Sequence, residues 1–245
     1  MLQQAVNFKT TIKNAMKTRG AQNIPILPLN TEEVSKLCTI IELKKYLTNH
    51  LLSEKDFNFF KFLFKNQIVP GVDETSYLKA NFLNKICTGQ INTNLIDKKE
   101  AISILGTMQG GYNIDILTKL LDNHNLAELA SKELKKSTLI FDHYYDIEQK
   151  SKNGNIYATE VIKSWANAEW FTENKPLNEK ITLTVFKVDG ETNTDDLSPA
   201  QDAWSRPDIP LHAQAMLKNP RPGIVPDIDY EIGPLKMLDT LKNKL

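Results

Sequence analysis

The chain has 245 residues, with 30 Lys+Arg set against 30 Asp+Glu, and 41% of it is hydrophobic. That length holds one large or two smaller domains with a real core, and the zero balance excludes a strongly basic nucleic-acid binder or an acidic solvating tail. No run approaches the roughly 18 apolar residues of a membrane span, and two cysteines, Cys38 and Cys87, are too few for a disulfide framework or a four-cysteine zinc site, so a reducing, cytoplasmic setting is the expectation.

Residues 1–29 carry Lys9, Lys13, Lys17 and Arg19 and no acid. A basic, acid-free start can be an organelle transit peptide. The favoured reading is a first surface helix with Val6, Ile12 and Met16 on one side, closed by Gly20 and the extended Ile24–Pro28 stretch. Next come short helices with explicit start signals. Asn30 with Glu33, Ser53 with Asp56, Asp73 with Ser76 and Asp97 with Glu100 each set a capping oxygen three residues before a polar partner. The two pairs ending in Glu are the expected capping boxes. Helical apolar spacings follow: Val34, Leu37, Cys38, Ile41; Phe57, Phe60, Leu63, Phe64; Tyr77, Ala80, Leu83, Ile86; Ala101, Ile104, Leu105, Met108. Further helices fit 113–122, 125–140 and 153–172. Hairpins of roughly 35–45 residues have the period of a helical solenoid, without a repeated motif, and an irregular bundle satisfies the same pattern.

Eight of the eleven prolines fall from residue 176 onward. Residues 173–179 read as a linker, and Ile181–Val188 alternates β-branched residues, which predicts a strand. Leu211–Asn219 and the stretch from Leu235 read as helical. The expected organisation is a helical domain over 1–172, a linker over 173–179 and an incomplete α/β segment over 180–245.

Little of this carries obvious chemistry. The four histidines, at 50, 124, 143 and 212, are scattered, without metal-ligand spacing. Cys38 and Cys87 sit on apolar helix faces as small hydrophobes. Gly106–Asn113 could cradle an anion at a helix start, but an interhelical turn with Asn113 as N-cap is favoured. Trp165, Trp170, Tyr157 and Phe171 at helical spacing predict a packing seam, with an interaction patch as the alternative. The runs Lys98-Lys99 and Lys135-Lys136 read as solvated faces.

One segment, Asp189–Pro210, stands apart. It holds Asp195, Asp196, Ser198, Ser205 and Arg206 and is stiffened by Pro199, Pro207 and Pro210. A guanidinium beside a proline makes a good carboxylate fork, since little entropy remains to be lost on binding. A loop whose Asp and Ser residues satisfy their own backbone fits the composition equally well.

Thr194-Asp-Asp-Leu-Ser-Pro-Ala200 is similar to the T-D-x-I-x-P-A element of aconitase swivelling domains. The longer string Val188–Ala213, with Asp202-Ala-Trp-Ser-Arg-Pro-Asp208 inside it, resembles the bacterial aconitase B type of aconitate hydratase. So do Val69-Pro-Gly-Val-Asp73, Leu105-Gly-Thr-Met-Gln-Gly-Gly-Tyr-Asn-Ile114, Phe141-Asp-His-Tyr-Tyr-Asp146 and Ser164-Trp-Ala-Asn-Ala-Glu-Trp-Phe171. The resemblance implies a mostly α architecture: a HEAT-like helical-hairpin domain, then the start of a swivelling domain. It implies interconversion of citrate and isocitrate through cis-aconitate on a [4Fe–4S] cluster in the complete enzyme, and it places Arg206 on the family's substrate-contacting arginine. No catalytic and no metal-ligating residue carries over: the family's G-x-G-S-S-R loop and its three cluster cysteines have no counterpart, and Cys38 and Cys87 match no ligand. The expectation is therefore the amino-terminal part of a longer enzyme, without a cofactor of its own and inactive alone. The alternative is a stand-alone module that binds a protein, a second copy or RNA through its helical part. The charge of that part, 22 Lys+Arg against 20 Asp+Glu over 1–179, gives RNA no electrostatic support.

Overall fold

The computed structural model of the chain describes residues 2–22, 26–44, 52–108, 111–137, 140, 143–173, 176–219, 221, 224 and 233–243. They fall into two compact units, Leu29–Leu177 and a second made of Met1–Pro28 with Asn178–Leu245.

The second unit owns the first helix, α1 (Leu2–Ala21). Its buried face is Ala5, Phe8, Ile12 and Met16, one residue per turn, and the helix runs through Gly20 to Ala21. Val6 lies beside that stripe, half-buried.

The helical unit follows as α2 (Thr31–Glu42), α3 (Glu54–Asn66), α4 (Glu74–Thr88), α5 (Lys98–Thr107), α6 (Tyr112–Leu120), α7 (Ala127–Leu134), α8 (His143–Lys152), α9 (Ile156–Ala166) and the short α10 (Glu169–Thr172). Each packs on near neighbours in the chain: α2 on α3 and α4, α4 on α5 and α6, α5 on α6 and α7, α9 on α7 and α8. That is the local pattern of helical hairpins. The phenylalanines of α3 supply much of the filling, with Phe57, Phe60 and Phe64 fully buried beside Leu37, Ile41, Leu63 and Leu83. Two lysines enter this apolar region by covering rings. Lys44 pairs with Glu54 at 2.9 Å and lies over Phe57, while Lys79 donates to the Lys65 carbonyl at 3.1 Å and lies over Phe64.

The start signals hold with two changes of partner. Asn30–Glu33 forms the reciprocal box, and so does Ser53–Asp56, whose aspartate does the work expected of a glutamate. Asp97 accepts from the Glu100 amide, but the Glu100 carboxylate turns to Lys61 at 2.6 Å and Lys65 at 3.5 Å. Asp73 accepts from Thr75 rather than from Ser76.

Other expectations are corrected. Helix α8 is absent from the sequence pattern because it buries one side chain, Ile147, so no apolar stripe announces it. The stretch 153–172 is broken by Ala168 in the left-handed region, at φ 49°. Trp165 packs, its Nε1 donating to the Leu134 carbonyl at 3.1 Å, while beyond the break Trp170 and Phe171 are exposed rather than part of a seam. Asn113 is not an N-cap. It sits inside α6, buried, and its amide donates to the carbonyls of Leu105 and Met108, closing the C-terminus of α5. Gly111 precedes α6 with φ 113°.

Residues 181–188 take no regular secondary structure, and among the described residues no strand forms. Ile181, Leu183 and Val185 all point to solvent, Leu183 with 77% of its surface exposed. The alternation is present in the sequence, and a strand also needs a ladder partner to take its backbone hydrogen bonds. The rest of this unit is short turns: α11 (Thr194–Leu197), a 3₁₀ turn over Ala200–Ser205, α12 (Ile209–His212), a 3₁₀ turn over Ala213–Ala215 and, later, α13 (Pro234–Lys242). The helix expected over Leu211–Asn219 is therefore two short pieces ending at Ala215, and Leu217 beyond them takes φ 57°. His50, Asp142 and the prolines at 220, 222 and 226 lie outside the described residues.

Candidate functional site

The loop that carries Arg206 is built from its own polar side chains. Asn193 opens α11 by accepting from the amides of Asp195 at 2.8 Å and Asp196 at 3.1 Å, and the Asp196 carboxylate accepts from the Asn193 amide at 2.9 Å. A four-residue helix has no cooperative stability of its own, so this box and its tertiary anchors hold it. The main anchor is Arg221. Its guanidinium meets the Asp196 carboxylate at 3.2 Å, and Nη2 also donates to the carbonyls of Asp189 and Glu191 at 2.8 and 2.9 Å. The Leu217 amide donates to the Asp196 carbonyl at 2.6 Å, holding the same turn from the other side.

The second half of the loop centres on buried Asp202 and Ser205. Asp202 pairs with Lys218 at 2.7 Å, both groups being largely out of water. The Ser205 hydroxyl donates to the Asp202 carbonyl at 2.7 Å. His212 lies between two serines, Nε2 at 2.7 Å from Ser198 Oγ and Nδ1 at 2.8 Å from Ser205 Oγ. Asp208 caps α12 through the Leu211 amide at 3.1 Å.

Arg206 follows Ser205 directly. Its amide donates to the Ala203 carbonyl at 3.2 Å, while its side chain is exposed and makes no hydrogen bond or ion pair among the described residues. The segment thus holds two guanidiniums with opposite fates. Arg221 closes on its own chain, and Arg206 faces water from the end of the 3₁₀ turn. Asp195 is exposed, and the Asp196 carboxylate is spent on the cap and on Arg221. Sequence reasoning passed over His212 and Arg221. The signal for Arg221 was present: Pro220 and Pro222 flank it, the same argument applied to Arg206 beside Pro207. For His212 there was none, since its serines stand 14 and 7 residues earlier.

Open clefts lie among the described residues of the helical unit. One, of about 350 Å³, is lined by Tyr77, Tyr112, Asp115 and His143, the two tyrosine rings edge to face at 5.2 Å. Another, of about 670 Å³, is lined by Asp122, His124, Lys150 and Asn155. Asp122 and Lys150 are themselves ion-paired.

Cys38 lies on α2 and Cys87 on α4, both as free thiols. Burial pushes the Cys38 thiol up to about 12 and that of Cys87 up to about 11. Metal and cluster ligation needs thiolate. Among the described residues no group of three or more His, Cys, Asp or Glu is placed to hold a metal ion. The donor set in the described residues does not fit an iron–sulfur cluster. No helix among them is long and apolar enough to cross a membrane.

Comparison with known proteins brings the two halves of the chain under one heading. Residues 11–171 match the Aconitate B N-terminal domain, and residues 183–244 match the Aconitate hydratase 2 N-terminus. Aconitate hydratase B of Salmonella typhimurium and that of Escherichia coli are each 50% identical to the chain over 226 residues, which is 92% of it and 25% of theirs. The Helicobacter pylori protein of the same name is 44% identical over 215 residues, 87% of this chain and 24% of its own. The chain spans about a quarter of the length of the curated relatives it matches. With two thirds of its residues inside the first of these domains and the remainder largely inside the second, the chain belongs to the aconitase B family of aconitate hydratases, over its amino-terminal portion.

Proposed function

We propose that the chain serves citrate–isocitrate interconversion as the amino-terminal part of an aconitate hydratase, in a cytoplasmic, reducing setting. Its direct contribution to the chemistry is Arg206 as a fork for a substrate carboxylate. The observation that carries this reading is the contrast between the two arginines, one spent on the loop and the other presented by it. A planar guanidinium on a preset turn offers two parallel N–H donors to a carboxylate at little entropic cost. The dehydration and rehydration chemistry, with the [4Fe–4S] cluster that the family resemblance implies, belongs to residues outside this set, so no step of it is assigned to this chain. The family matches at 11–171 and 183–244 support a helical domain over 1–172, a linker over 173–179 and a swivelling-domain segment from 180. The alternative of a free-standing protein- or RNA-binding module has no specific observation in its favour.

The test is a titration of the purified chain with citrate and tricarballylate, followed by amide and arginine side-chain resonances. We expect weak binding centred on residues 198–212. Arg206→Ala should weaken it by at least about tenfold, and Arg206→Lys should restore only part of it, because a point ammonium loses the bidentate geometry. Binding indifferent to Arg206 would sink the reading.

A further inference from the structure

We propose that His212 is the positioning residue that presets Arg206, acting through a one-way chain of hydrogen bonds from Ser198 to His212 to Ser205 to the Asp202 carbonyl. This rests on the reading of Arg206 as the carboxylate fork.

The direction of the chain follows from counting hydrogens. A serine hydroxyl has one proton to give. Ser205 gives its proton to the Asp202 carbonyl at 2.7 Å, so toward His212 it can only accept, and Nδ1 must carry a hydrogen. A neutral imidazole then has a bare Nε2, which accepts the Ser198 hydroxyl at 2.7 Å. The ring is held as the single Nδ1–H tautomer by two partners on opposite edges.

The connectivity gives this chain its purpose. Ser198 stands at the end of α11, His212 at the end of α12, and buried Ser205 closes the 3₁₀ turn between them. These pieces are four to six residues long, too short to hold their own geometry. The imidazole therefore braces three turns at once, and the residue next to its buried contact is Arg206. Fixing Ser205 from both sides leaves the guanidinium a narrow range of origins, which is what a carboxylate fork requires.

Substitutions separate the two edges of the ring. His212→Ala removes both contacts. His212→Asn places an amide N–H where Nδ1 stood and keeps the Ser205 contact, while His212→Gln places a carbonyl near the position of Nε2 and keeps the Ser198 contact. With the full chain and tricarballylate as the probe, we expect about a tenfold rise in Kd for His212→Ala. His212→Asn should return to within about threefold of wild type, and His212→Gln should not.

Amide hydrogen exchange at Ser205, Arg206 and Asp208 is read in parallel on the same proteins without ligand. It should accelerate at least about tenfold in His212→Ala and recover in His212→Asn. Imidazole nitrogen shifts in the wild type should show the single Nδ1–H tautomer. Tricarballylate binding lost in Arg206→Ala but unchanged in His212→Ala overturns this inference and leaves the carboxylate reading standing. If wild type binds no tricarboxylate, the carboxylate reading falls, and unchanged exchange or a mixed tautomer then overturns the brace as well.

Discussion

Gly106 has little room to vary. It lies inside α5, and a Cβ built there would come within 2.8 Å of the Glu133 Cβ and closer still to its carboxylate, on α7. Helices α5 and α7 approach through that gap, so Gly106→Ala should destabilise the helical unit by about 1–3 kcal/mol despite alanine's better helix propensity. Urea unfolding would register it as a lower midpoint with an unchanged slope. Asn113 works in the opposite sense, by adding partners: with Asn113→Ala two carbonyls at the end of α5 lose their donor, at a cost of about 1–3 kcal/mol. The two thiols give a pH signature. Their pKa values are raised by burial from an ordinary value near 9, so the unfolded chain releases these protons first. The stability they contribute is complete below about pH 9 and is lost as pH climbs toward about 11 and then 12. Alkylation of the native chain at neutral pH should accordingly leave Cys87 unlabelled, with labelling following global unfolding; rapid native labelling would contradict its burial.

At the scale of the element, local signals and packing divide the credit unevenly. Helices α2, α3, α4 and α5 each combine a capping side chain with an apolar stripe, and both signals sit within a dozen residues, where sequence periodicity registers them. Ser53→Ala removes a reciprocal cap and should cost about 1 kcal/mol, measurable as a shift in thermal midpoint. Helix α8 owes its place to neighbours. Its one fully buried side chain is Ile147, and its charges pair outward, Lys150 with Asp122 and Lys152 with Glu148 at 2.9 Å. Ile147→Ala should therefore cost about 2–4 kcal/mol and raise amide exchange through α8 before it does so in α3. For Ile181–Val188 the alternation was legible and the strand was not, because a ladder is a property of two segments and one period cannot supply the second.

For the whole molecule, the two compact units differ in what holds them. Leu29–Leu177 is packed around interleaved apolar side chains, whereas residues 178–219 depend on side-chain hydrogen bonds and a few ion pairs spanning short turns. Polar contacts between short elements open more readily than a shared apolar core. Amide exchange should thus show the slowest protons on α3 and α4 and the fastest on residues 177–187, and equal protection across both units would refute this ordering. Incubating the chain with iron and sulfide under reducing conditions should yield no stable cluster chromophore, since its thiols are dispersed and protonated. A persistent chromophore would overturn that.

The candidate site was half legible. Arg206 stood out because a guanidinium beside proline in a loop is a local pattern, and the family resemblance fell on the same residue. Why it is free was not legible, because that depends on Arg221 taking up Asp196 and on His212 engaging serines from two other turns, contacts that span 7 to 25 residues. The sequence by itself determined the helices that carry their own caps and stripes, the neutral charge, and the family to which the chain belongs. Only the tertiary structure decided which of two equivalent arginines is spent on the fold, that His212 acts as a brace, and that an alternating stretch finds no ladder partner among the described residues. Caps and stripes are written within a turn or two of chain, whereas partners across the fold are chosen by packing.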